Sequence, residues 1–97
     1  IGNSCPLAVA DFKNFIAFRA VPNPTNNQTV VHFFAQVATH FTVTVRNVLG
    51  QTVAEKTGQS TFGENLEFID LNAFSAGVYY ITINTTGQQN VLKVVKK

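Results

Sequence analysis

Apolar and polar residues alternate one by one through most of this chain, and that rhythm constrains its fold more than any other feature. Phe41, Val43 and Val45 are interleaved with Thr42, Thr44 and Arg46, and Tyr79, Ile81 and Ile83 with Tyr80, Thr82 and Asn84. Successive side chains of a β-strand point to opposite faces, so this period describes strands buried on one face and solvated on the other. Residues 15–20 and 30–34 are more uniformly apolar, as strands covered on both faces would be. Further strands are expected at 66–71 and 90–96, with a shorter, more polar one at 51–57, at a sheet edge. No window of about 11 residues or more carries a helical repeat.

The interruptions are equally regular. Pro22-Asn23-Pro24-Thr25-Asn26-Asn27 separates the first two strands, because proline cannot donate to a ladder and fixes φ. At 47–50 the chain reverses tightly: Asn47 caps the turn and Gly50 takes positive φ. Residues 57–63 read as a looser loop, and Thr85-Thr86-Gly87-Gln88 turns the chain into its last strand. The sum is about seven short strands at intervals of roughly ten residues, which predicts an all-β, immunoglobulin-like antiparallel β-sandwich. Phe74-Ser75-Ala76-Gly77-Val78-Tyr79 fits the tyrosine corner of such sandwiches, with Gly77 at the bend and the Tyr79 hydroxyl turned back to backbone. Asp70, just before this corner, is placed to hydrogen-bond its loop.

Ninety-seven residues suggest one domain, and nine phenylalanines supply material for one core without staples. No apolar run approaches the ~20 residues of a membrane-spanning helix. The first ten residues lack a basic start and a long apolar stretch, so any export signal is expected upstream of them. Charged residues make up 12% of the chain, against a usual ~25%. Asn, Thr and Gln carry the polar faces instead, which leans toward an extracytoplasmic protein. The net charge of +2 is too small to imply a nucleic-acid partner.

Catalytic patterns are missing from the sequence. His32 falls inside an apolar strand and His40 opens the next one, and neither belongs to a nucleophile motif. Zinc would have to combine Cys5, His32 and His40, which lack finger-like spacing. Cys5 has no partner for a disulfide and reads as a linker thiol. The carboxylates Asp11, Glu55, Glu64, Glu67 and Asp70 do not cluster in one loop as a calcium site requires. The expectation is therefore no catalytic, cofactor-binding or metal-binding residue.

The ordered motifs together resemble a known family, the type A C-terminal sorting domain of the type IX secretion system of Bacteroidetes. Its opening strand and Pro-Asn-Pro turn are matched by residues 18–24, and its strand running into an Asp/Asn-x-x-Gly-Gln turn by 43–51. Its Asp-Leu segment with Gly-x-Tyr and an apolar strand is matched by 69–83, and its basic, apolar final strand by 91–97. Asn47 stands where many members have Asp, and Phe74 where Leu is frequent. The resemblance spans residues from about 10 to 97. It implies a linker from an upstream cargo at 1–10 and a sorting domain at 11–97. It also implies passage through the periplasm to the cell surface or medium, with the outer-membrane translocon and its shuttle and sortase components as partners. By analogy, sortase cleavage is expected around residues 1–10 or just upstream.

The resemblance makes Pro22, Asn23, Pro24, Lys93, Lys96 and Lys97 the recognition candidates. Asn47, Gly50, Asp70, Gly77 and Tyr79 are the structural ones. Each has a plainer reading. The Pro-Asn-Pro segment is a rigid turn, and the lysines protect an edge strand against aggregation. The final strand is expected to offer a free edge to a partner strand, and open edges also leave room for an edge-strand dimer. A rival class is a fibronectin-like accessory module for carbohydrate or protein. Against it, there is no Trp, and Tyr80 and Phe62 are the aromatics expected at the surface.

Overall fold

The computed structural model describes residues 14–97, and the expectations placed on 1–10, on Cys5, on Asp11 and on a domain start at 11 lie outside the described residues. Seven strands follow in order: β1 (Phe15–Val21), β2 (Gln28–Ala35), β3 (His40–Asn47), β4 (Thr52–Gln59), β5 (Gly63–Asp70), β6 (Gly77–Thr85) and β7 (Gln88–Lys96). All pair antiparallel, in a three-stranded sheet of order β1-β2-β5 and a four-stranded sheet of order β4-β3-β6-β7. The expected all-β sandwich with immunoglobulin-like layering is what the chain forms.

The inward residues of the alternation form the core. Val31, Phe33 and Ala35 of β2 meet Phe41, Val43 and Val45 of β3, with Ile81, Ile83 and Val94 beside them, all at most 4% exposed. Four rings knit the layers. Phe15 lies 4.6 Å from Phe33 and 5.7 Å from Phe41, Phe33 lies 5.5 Å from Phe41, and Phe18 stacks on Phe33 at 5.5 Å. Two of these contacts, Phe15 with Phe41 and Phe33 with Phe41, are edge-to-face between the sheets, a geometry that adds about 0.5–1.5 kcal/mol per pair beyond area burial.

Two expectations needed correcting. The loop expected at 57–63 is shorter, residues 60–62: β4 runs on to Gln59 and β5 starts at Gly63, because His40 pairs with Gln59 and Phe41 with Gly58. Gly58 is therefore no breaker. A Cβ there would lie 2.6 Å from the Phe41 ring, so the glycine makes room for it. Nor are 15–20 and 30–34 covered on both faces. Ile16 and Val21 are exposed, and no described element packs over the outer side of the three-stranded sheet. Val30, His32 and Phe34 of the central strand β2 are half-buried on that face, where the Phe62 ring lies against Phe34.

Gly58→Ala is expected to destabilise the domain by about 1–3 kcal/mol, the usual penalty of overpacking. At about 4–8 °C per kcal/mol for a chain this size, calorimetry will register the loss. Because Phe41 is the clashing partner, Phe41→Leu made in the Gly58→Ala background should cost less than Phe41→Leu alone.

Candidate recognition site at the loop and terminal strand

Seventy residues separate Asn23 from Lys93, yet the fold joins them. The Asn23 side chain acts as a surrogate peptide group on the outer edge of β7. Its Nδ2 donates to the Lys93 carbonyl at 2.8 Å, and its Oδ1 accepts from the Val95 N–H at 3.0 Å. The ladder continues with Thr25, whose N–H donates to the Val95 carbonyl at 2.9 Å and whose carbonyl accepts from the Lys97 N–H at 2.8 Å. This makes a parallel bridge between Thr25 and Lys96. The loop is held from beneath as well. The buried Thr29 hydroxyl donates to the Pro22 carbonyl, and the buried Thr25 hydroxyl to the Gln28 carbonyl. The peptide bonds before Pro22 and Pro24 are both cis.

The final strand is consequently not the open edge expected from the sequence. Its C-terminal half is occupied by Asn23 and Thr25. At its start the Gln88 amide bridges to β1, accepting from the Phe15 N–H at 3.0 Å and donating to the Phe15 carbonyl at 2.7 Å. By strand alternation only Gln89 and Val91 keep both outward backbone groups without a partner among the described residues. The sequence signal for this lay in view: an Asn between two prolines and a Gln after a Gly turn are the amide side chains able to imitate a peptide.

The three lysines do different things. Lys96 reaches the Phe74 carbonyl with its ammonium and is tied into the corner. Lys93 is exposed beside Tyr80 on the outer face of the four-stranded sheet, and Lys97 is exposed at the chain end. At the corner, the Tyr79 hydroxyl donates to the Ser75 carbonyl at 2.6 Å, the Phe74 and Tyr79 rings lie 5.8 Å apart, and Gly77 has φ 154°. Asp70 accepts from the Asn72 N–H at 2.9 Å. In the distant β3–β4 turn, Asn47 Oδ1 accepts from the N–H groups of Leu49 and Gln51, and Gly50 takes φ 84°, a conformation that favours glycine. The structural candidates thus shape two turns, and of these only the corner adjoins the loop-and-strand site, through Lys96. His32 and His40 sit on different sheets, and among the described residues no three His, Cys, Asp or Glu side chains gather as metal ligands.

A small sandwich whose first loop is stitched to its last strand presents a composite surface built from both ends of the domain. The chain matches the family described as the secretion system C-terminal sorting domain over residues 19–97. It belongs to that family, the sorting domain of type IX secretion, a family of sorting signals and not of enzymes. A domain of this kind follows a cargo protein, engages the type IX machinery and marks its carrier for export toward the cell surface or medium. No curated protein matches the chain.

If Asn23 supplies a rung of the ladder, Asn23→Ala should cost about 1–2 kcal/mol in chemical denaturation. The amide of Val95 should exchange about tenfold faster while that of Val43, in the core, follows only the change in global stability. Asn23→Asp keeps the acceptor and loses the donor, so it should fall between the two.

Proposed function

We propose that the domain directs an attached cargo across the outer membrane and that the machinery reads the stitched loop and strand as one surface. The observation that carries this reading is the set of hydrogen bonds from Asn23 and Thr25 to Lys93, Val95 and Lys97. It joins two of the family's motifs in a single exposed patch. A receptor meeting a patch already fixed by such bonds loses little entropy on ordering it. Lys93 and Lys97 are exposed, with no ion pair among the described residues, and suit an acidic groove, which would set orientation and speed encounter. Lys96, spent on the Phe74 carbonyl, supports the surface and does not belong to it. With Gln89 and Val91 alone fully open on β7 among the described residues, strand addition contributes less than the side chains and loop do.

Sortase removal fits the same reading. The cut would fall upstream of β1, where cargo joins the domain, and would leave the stitched surface whole. The accessory-module reading has less support, because Tyr80 and Phe62 lie with different sheets and do not form one aromatic platform.

The test is a fusion of Ile1–Lys97 to a periplasmically exported fluorescent protein in a host with the secretion system. Fluorescence is expected outside the cell. The double variant Lys93→Glu/Lys97→Glu should keep the melting temperature within a few degrees and lower export severalfold. Lys96→Ala should do the reverse, costing about 1–2 kcal/mol with export of the folded fraction preserved. A folded wild-type fusion retained in the periplasm would reject the proposal.

A further inference from the structure

The outer face of the three-stranded sheet is ordered in rows across β1, β2 and β5. The register places Val21, Val30 and Phe68 in one row, Arg19, His32 and Leu66 in the next, and Ile16, Phe34 and Glu64 in the third. Leu66 is 49% exposed and Phe68 53%, and the Phe62 ring leans on Phe34 at 5.5 Å while itself 72% exposed. The opposite face of the sandwich is built on Thr42, Thr44, Thr82 and Asn84. That face is mainly polar, with Tyr80 and Val91 as its exposed apolar side chains, whereas the three-stranded face carries six apolar side chains interrupted by Arg19, His32 and Glu64. From strand spacing and rise, the apolar footprint is roughly 400 Å². That reaches the size of the largest patch on an ordinary monomer, and doubled over two copies, at about 800 Å², it lies below standard interfaces and in the range of weak, transient ones.

The structure assigns this face to a second copy of the same chain, packed sheet on sheet as a two-fold dimer. Its charges are arranged for that occupant. Arg19 stands on β1 at one margin, and Glu64 and Asp70 stand on β5 at the other. A two-fold axis along β2 lays β1 of each copy over β5 of the other. Val21 then meets Phe68, the β2 residues Val30, His32 and Phe34 meet their own counterparts, and Arg19 arrives over Leu66, one row or about 7 Å along the strand from Glu64, within reach of its guanidinium. A lipid surface suits the face less well. Its acidic margin opposes anionic headgroups, and His32 is already turned to Glu64, with Nδ1 to carboxylate at 3.4 Å. The strand edges suit a partner less well too. Lys56 donates to the Phe68 carbonyl on the β5 edge at 2.6 Å and pairs with Glu67 at 2.7 Å, and β1 is bulged around Ala17, which has φ 59°.

Sedimentation equilibrium of the full chain tests this. With so small a footprint, a dimer dissociating between about 1 μM and a few hundred μM is expected. Phe68→Arg should weaken it at least about tenfold. Arg19→Glu and Glu64→Arg should each weaken it several-fold, and the two together should restore it to within about threefold of wild type. Near-UV circular dichroism of each variant checks that the fold is kept, and the charge-reversal pair remains decisive if Phe68→Arg does not fold. A chain that stays monomeric to about 1 mM overturns the proposal, whether its face is bare or covered by its own first 13 residues. So does a dimer indifferent to Phe68→Arg and to the charge reversal, which would pair through its edges, and so does a monomer that floats with anionic phospholipid vesicles. None of these outcomes bears on export.

Discussion

The two sheets share no strand and apart from the Thr25 bridge to β7 are held together by side chains, and the phenylalanine cluster of Phe15, Phe18, Phe33 and Phe41 is the contact on which the rest depends. Burying a ring of this size contributes about 1.5–3 kcal/mol, which is a sizeable share of the net stability of a domain this small. The cluster also fixes local structure at a distance. Gly58 has no Cβ, and the Phe41 ring fills that space where β4 follows β3 to its end. Beyond the cluster, Leu71 is fully buried with its N–H on the Asn27 carbonyl, which ties the β5–β6 connection to the loop between β1 and β2.

A sandwich of two small sheets has four edge strands, and this one treats several of them with side chains. Asn23 and Thr25 occupy half of β7, the Gln88 amide joins β7 to β1, and Lys56 reaches from β4 to a carbonyl of β5. Such caps limit indiscriminate strand pairing. They also create shape. The cap on β7 is the Pro-Asn-Pro loop itself, so the device that closes the edge is the one that makes a readable surface at the end of a sorting domain. The outer faces divide in the same manner. The threonine-rich side of the four-stranded sheet needs no cover, whereas the apolar side of the three-stranded sheet invites one.

Much of this was legible in the residues. Alternation located the strands, the Pro, Asn and Gly clusters located the turns, and the order of motifs pointed to the family that residues 19–97 match. The Tyr79 corner followed from Gly77 and the tyrosine two residues on. What the pattern misread were Gly58, taken as part of a loop, and 15–20 and 30–34, taken as doubly covered strands. Both errors share a cause. Periodicity reports which residues avoid water but not what stands opposite them, whether an aromatic ring or nothing.

The sequence alone therefore determined the all-strand class and the number of strands, because these rest on local rules of alternation and turn chemistry, while the kind of protein came from the resemblance its ordered motifs carry. Tertiary structure decided which residues act together. That Asn23 completes the ladder of Val95, that Lys96 is spent while Lys93 and Lys97 are exposed, and that six apolar side chains and Arg19 share one outer face are facts of pairing register between distant segments. A one-residue slip in any of those pairings would turn each side chain to the other face, and no local pattern fixes a register across 70 residues.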